Sequence, residues 1–155
     1  PAGKKFPWIL RLCRRSRAIG YLIQHWNGFA FPASYLMCTK RRIGAGIRSG
    51  YLAPYRTPAD RVAILRFIQD IPLEPDHVSY PAIMEIQGKL PLLRHIPMAI
   101  FWGARDFIFD REICAEWSRY FPRARVHLFP EAGHNIVEDE KEAIVPLLRQ
   151  FLSTD

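Results

Sequence analysis

A chain of 155 residues is long enough for one domain with a sizeable core, and its 49% hydrophobic and 13% aromatic content excludes a disordered polymer. The net charge of +7 invites a nucleic-acid reading, but residues 1–96 hold fifteen Lys and Arg against five Asp and Glu, while residues 97–155 hold seven against ten. The tight basic clusters, Arg14-Arg15 and Lys40-Arg41-Arg42, lack the aromatic interleaving or helix-turn-helix pattern of a nucleic-acid binder, so they are expected on solvated faces with no nucleic-acid partner.

Arg or Lys interrupts every stretch before it reaches the roughly 18 apolar residues of a membrane span. The basic segment Lys4 to Arg17 lacks a clean apolar block and a small-residue cleavage site, so no targeting signal is read there. Cys13, Cys38 and Cys114 fall in no CxxC or Cys/His metal spacing and are expected as free thiols in a reducing cytoplasm, with no metal.

Up to about Leu90 the periodicity predicts helices. Trp8 to Arg15 forms the first. Arg17 to Phe31 follows with one apolar face of Ile19, Leu22, Ile23, Trp26 and Phe29. A short helix is expected near Ala33 to Lys40, and a turn or two from Ile43 to Leu52, weakened by Gly44, Gly46 and Gly50. The next should start at Thr57 as N-cap, with Pro58 at the first position and Asp60 in the first turn, and stop before Pro72. Tyr80 to Leu90 closes this region.

Beyond Pro97 the rhythm becomes strand, helix, strand, helix. Met98-Ala99-Ile100-Phe101-Trp102 has the continuous apolar pattern of a strand in a parallel sheet covered on both faces. Asp110 is placed to cap a helix that Pro122 ends. Arg125 to Phe129 makes the second strand, and a last helix is expected from Asp139 to Leu152, kinked at Pro146. The fold class is α/β, with a helical region over 1–96 and a βαβα unit over 97–155.

Each strand runs into a short loop carrying one titratable side chain, Asp106 after Gly103 and His134 after Gly133. Carboxyl ends of parallel strands are where α/β sheets build sites. An imidazole serves as general base when an acceptor holds its other ring nitrogen in one tautomer, and a carboxylate on the neighbouring loop can do this. Glycines at 103 and 133 are expected to supply permissive backbone for the turns. Asp110 is the alternative acid, with helix capping as its simpler task; Glu131 is a weaker rival.

The segments IPMAIFWGARDFIFD and VHLFPEAGHNIVEDE resemble the last two strands of the α/β-hydrolase fold, with Asp106 at the triad acid, His134 at the triad histidine and Glu138-Asp139 following as in the family. YLAPY at 51–55 followed by RVAILRFIQDIPL at 61–73 is similar to the cap of the haloalkane dehalogenase-like branch, most like the β-lactone decarboxylases of bacterial long-chain olefin biosynthesis. The resemblance implies a helical cap over 1–96, the C-terminal part of the hydrolase core over 97–155, no cofactor, and an apolar small-molecule substrate. It also implies an aspartate nucleophile on a sharp strand-to-helix turn upstream of the cap.

No such turn occurs in this sequence. Ser16 and Ser49 do not follow predicted strands, and Asn135 stands where the family often has an aromatic residue. The expectation is therefore a partial hydrolase, inactive on its own, whose partner is the missing N-terminal half of the core. Trp8, Trp26, Phe29 and Phe67, with Phe31 and Tyr35, are candidates to line an apolar channel under the cap, against the plainer expectation that they pack helices. A serine esterase or epoxide hydrolase of the same fold is the alternative. A non-catalytic basic helical module, meeting an acidic protein or an anionic membrane, is another.

Overall fold

The computed structural model describes residues 8–153, so the start of the basic segment at 4–17 lies outside the described residues. The chain divides into two compact units, one built from residues up to 36 and from 43–85, the other from 37–42 and from 86 onward.

The first unit is helical: α1 (Trp8–Arg15), α2 (Arg17–Trp26), α3 (Ala30–Leu36), α4 (Ala45–Leu52), a 3-10 turn at Ala53–Tyr55, and α5 (Val62–Gln69). Ser16 starts α2 by accepting the Ile19 N–H on its hydroxyl at 3.3 Å. The single helix expected from Arg17 to Phe31 is instead two. Asn27 adopts the left-handed conformation (φ 53°, ψ 35°) and the following Gly28 N–H donates to the Leu22 carbonyl, which ends α2 before the apolar period does. The helix expected over Ala33 to Lys40 accordingly sits earlier, and residues 37–42 leave helical structure altogether.

Regular helix also begins later than Thr57. Residues 57–61 form an irregular turn in which the Thr57 N–H donates to Asp60 Oδ2 at 2.9 Å and the Asp60 N–H to Thr57 Oγ1 at 3.3 Å. These reciprocal bonds are those of a capping box, so the residues act as the sequence predicts while the regular helix starts at Val62.

Cys13, Ile23 and Ile68 form the core of this unit, with Ile19, Phe29, Ile64 and Leu65 packed around them. Burying Ile23 and Ile68 stabilises by about 2 kcal/mol each. Arg61 is buried without a carboxylate; its guanidinium donates to the Thr57, His25 and Arg56 carbonyls, so the charge is met by three backbone dipoles. Glu74 accepts from Arg14 and Arg15, and chiefly the Arg14 hydrogen bond holds its carboxyl below the usual range.

In the second unit, α6 (Tyr80–Lys89), which crosses the boundary at residue 85, and a 3-10 turn at Leu90–Leu93 lead into β1 (Ala99–Gly103), α7 (Arg111–Tyr120), β2 (Arg125–Phe129) and α8 (Ile136–Leu152). β1 and β2 pair in parallel, Ala99 opposite Arg125 and Gly103 opposite Phe129. Ile100, Ile113, Cys114, Phe121, Ala132 and Ile144 are among its buried apolar residues. Cover on both faces of the sheet is incomplete: Val126 and Leu128 on β2 are 43% and 47% exposed. Helix α8 starts three residues before the expected Asp139, and its backbone leaves helical dihedrals at Glu140 (φ −131°, ψ 24°) and not at Pro146. The break falls where the Asp139 and Glu140 side chains turn to meet residues 39–41.

Candidate active site

The parallel pairing of β1 and β2 brings their carboxyl ends level, and two further bonds continue the alignment into the loops. The Ala104 N–H donates to the Phe129 carbonyl at 2.8 Å and the Arg105 N–H to the Ala132 carbonyl at 2.9 Å. The two backbones are in close contact there. A Cβ on Gly103 would lie 2.2 Å from the Gly133 carbonyl oxygen, and one on Gly133 would lie 2.7 Å from the Met37 carbonyl oxygen. Neither glycine has a positive φ, so what demands glycine is the close approach of backbone and not the turn conformation expected from sequence.

This alignment brings Asp106 and His134 together. His134 Nδ1 lies 2.9 Å from Asp106 Oδ2. The Asp106 side chain is only 8% exposed and the His134 side chain 29%. Asp106 Oδ1 accepts the Ile108 and Phe109 N–H groups at 2.8 and 2.9 Å, which fixes the plane of the carboxylate. An ionised carboxylate only accepts, so Nδ1 carries the proton, and in the neutral ring Nε2 keeps its lone pair. The Phe109 ring lies 5.3 Å from the imidazole, and the loop holding it is tied back by the Trp102 indole N–H on the Phe109 carbonyl.

The alternative acid is occupied elsewhere. Asp110 Oδ1 accepts from the Glu112 and Ile113 N–H groups as the N-cap of α7. Glu131 is exposed, and its carbonyl accepts the Thr39 hydroxyl.

Of the aromatic candidates, Trp8, Trp26 and Phe67 are 73–75% exposed in the helical unit, whereas Phe29 packs against its core. The Phe31 and Tyr35 rings meet at a tilt of 58° with centroids 5.3 Å apart, and the Arg48 guanidinium lies over Tyr35. Among the described residues no group of three or more His, Cys, Asp or Glu is placed to hold a metal ion, and no helix is long and apolar enough to cross a membrane.

Sequence reasoning missed the surroundings of His134. Residues 37–41 run beside the 131–135 loop, where the Asn135 N–H donates to the Met37 carbonyl and Asp139 accepts backbone N–H groups from Thr39, Lys40, Arg41 and Gly133. Two charges of the basic cluster are met within the chain, Lys40 by Glu140 at 2.8 Å and Arg41 by Glu142 at 2.9 Å. The pairing signal was present as a basic run at 40–42 and an acidic run at 138–142, a hundred residues apart.

The same acidic run acts on Cys38. Burial first, then the charges of Asp139 and Glu138, push its thiol up to about 11 from an ordinary value of 9.0. Two pH units correspond to about a hundredfold less thiolate at pH 8, and the thiolate is the nucleophile. Alkylation of Cys38 by iodoacetamide at pH 8, followed by peptide mapping, should therefore run about a hundredfold slower than for an unperturbed thiol and rise tenfold per pH unit toward 11. Labelling at the rate of a free cysteine would contradict this environment.

No family model matches the chain. It is 34% identical over 153 residues, 99% of its length, to a cis-3-alkyl-4-alkyloxetan-2-one decarboxylase of Shewanella oneidensis. It is 36% identical over 98% of its length to the enzyme of that name from Xanthomonas campestris pv. campestris. The chain spans about half the length of these curated relatives, 48% and 50%. Its fold matches the haloalkane dehalogenase DbeA from Bradyrhizobium elkani USDA94, with a TM-score of 0.79 at 19% identity over 96% of this chain and 52% of that one. It also matches the haloalkane dehalogenase DatA from Agrobacterium tumefaciens C58, with a TM-score of 0.77 at 18% identity over 94% of this chain and 50% of that one. The chain is thus similar over nearly its whole length to these decarboxylases, and its fold is that of about half of a haloalkane dehalogenase, an α/β-hydrolase fold.

Proposed function

We propose that this chain supplies the general base, its orienting acid and a helical cap to an α/β hydrolase whose nucleophile lies outside these 155 residues. The observation that carries the reading is the 2.9 Å contact between His134 Nδ1 and Asp106 Oδ2 at the ends of two parallel strands. It leaves Nε2 as the free basic nitrogen. The chain's span of about half its relatives is in keeping with a nucleophile carried elsewhere.

In this reading an aspartate of the missing half attacks a substrate carbon, breaks that carbon's bond to its halide or ring oxygen, which leaves with the electron pair, and forms a covalent ester. His134 Nε2 then takes a proton from water, and the resulting hydroxide attacks the ester carbonyl. Asp106 holds the imidazole in the required tautomer and stabilises the imidazolium that forms. The relatives' name points to a four-membered lactone bearing two alkyl chains. Loss of carbon dioxide from that ring leaves the former C3 and C4 joined as an alkene and takes up no water, so the water step above belongs to a haloalkane substrate and not to the lactone. Trp8, Trp26 and Phe67, exposed in the helical unit, are suited to contact with such alkyl chains.

The reading of the basic region as a docking surface for an acidic protein is the weaker one, because Glu140 and Glu142 already meet Lys40 and Arg41.

The test is turnover of a dialkyl β-lactone, a haloalkane and a carboxylic ester by this chain alone and by the chain joined to a nucleophile-bearing half. Turnover is expected only in the joined protein. Activity of the chain alone that disappears in His134→Ala would overturn the proposal.

A further inference from the structure

We infer that Asp139 is the positioning residue for His134, acting by clamping residues 37–41 onto the loop that carries the imidazole; the inference rests on His134 serving as the base. Asp139 is fully buried and sits in the first turn of α8. Its Oδ2 accepts the Gly133 N–H at 2.8 Å and the Thr39 N–H at 3.0 Å. Its Oδ1 accepts the Lys40 and Arg41 N–H groups at 3.1 and 3.2 Å. Four backbone dipoles thus converge on one carboxylate and meet its charge in place of water.

Among the described residues no cationic side chain is bonded to this carboxylate. Lys40 Nζ is bound to Glu140 and the Arg41 guanidinium to Glu142. The carboxylate is therefore committed to backbone, and the backbone it holds brackets His134. Gly133, immediately before the histidine, is bound by Asp139. Asn135, immediately after it, donates its N–H to the Met37 carbonyl at 2.9 Å. A third tie, from the Thr39 hydroxyl to the Glu131 carbonyl at 2.6 Å, holds the start of the same loop. Asp106 is fixed separately by the Ile108 and Phe109 N–H groups. The Nδ1–Oδ2 distance is then set by where the 131–135 loop sits, and among the described residues Asp139 is the side chain that joins that loop to both 39–41 and α8.

Asparagine at 139 has the same shape and the wrong polarity. One oxygen becomes an NH2 group that faces two N–H donors, so half of the clamp opens. The neighbouring Glu140, also buried, binds the Lys40 side chain and no backbone of the histidine loop, which makes Glu140→Gln the matched control.

The experiment follows the imidazole of His134 by 15N NMR, together with amide hydrogen exchange, in this chain carrying Asp139→Asn or Glu140→Gln. In Asp139→Asn, the signature of an Nδ1-protonated ring bound to a carboxylate is expected to give way to a tautomer mixture, with exchange at residues 39–41 and 133–135 faster by about tenfold or more. Glu140→Gln should leave both unchanged. In the joined enzyme, kcat should fall more than about tenfold while KM stays within about twofold. A folded Asp139→Asn protein with the wild-type imidazole signature overturns the inference, as does an equal change in Glu140→Gln. If Asp139→Asn does not fold, Thr39→Val removes the hydroxyl tie to Glu131 while keeping the β-branched shape, and is expected to shift the same imidazole signal. An unchanged signal there overturns the inference too. Unchanged kinetics in His134→Ala would instead remove the base reading while leaving the spectroscopic result intact, so the two failures are distinguishable.

Discussion

Asp106→Asn in the joined enzyme will lower kcat by about 10³–10⁴-fold, and by at least as much as Asp106→Ala. The reason lies in the carboxylate's other oxygen. Oδ1 accepts two backbone N–H groups, from Ile108 and Phe109, and these hold the amide oxygen of an asparagine in that same place. Its NH2 group then faces His134 Nδ1. A ring nitrogen facing a donor must accept, so the proton moves to Nε2 and the basic lone pair is lost from the side that needs it. Alanine leaves the ring free to choose its tautomer. Steady-state kinetics on variants shown to be folded by circular dichroism test this. An asparagine variant that retains more than about a tenth of wild-type kcat would remove Asp106 from the proposed mechanism.

The second large effect is structural. Gly103→Ala should destabilise the protein by on the order of 3 kcal/mol, because the new methyl group meets backbone on the other side of the site. Its Cβ would lie 2.2 Å from the Gly133 carbonyl oxygen, 2.6 Å from that of Ala132 and 2.9 Å from the Ala132 carbonyl carbon. None of these is a side chain that could rotate away. The end of β1 must separate from the histidine loop, and the Arg105 N–H to Ala132 bond and the Asp106–His134 contact go with it. Gly88→Ala, in α6 with nothing within 4 Å of its Cβ, is the control, expected to be neutral or to stabilise by about 0.5–1 kcal/mol. Denaturant unfolding compares the two, and equal midpoints would contradict the close approach.

The elements easiest to read were those with punctuation at both ends. β1 is an apolar run closed by Gly103, α7 is bounded by the Asp110 cap and Pro122, and β2 follows directly. Asp106 and His134 were legible for the same reason, because each follows a strand end. The break between α2 and α3 was hidden because Asn27-Gly28 lies inside an apolar period that continues through Phe29. The role of Asp139 was hidden for a different reason. Its partners are backbone N–H groups, three of them about a hundred residues earlier, and main-chain donors leave no mark in the letters of a sequence. Gly103 and Gly133 were noticed, but their reason, contact between loops, is a property of pairing and not of either segment.

The belt at residues 37–41 also sets a timetable. Its bonds to Asp139 close a separation of 98–100 residues, and β1, α7 and β2 all lie inside that span. Closing so long a loop carries an entropic cost before any contact repays it, and non-local closures slow folding. On a ribosome, residue 139 emerges about a hundred residues after the belt it holds. The imidazole loop must therefore reach its final place late, after the strands beneath it, and a chain cut short before α8 keeps both reactive side chains without the geometry that joins them.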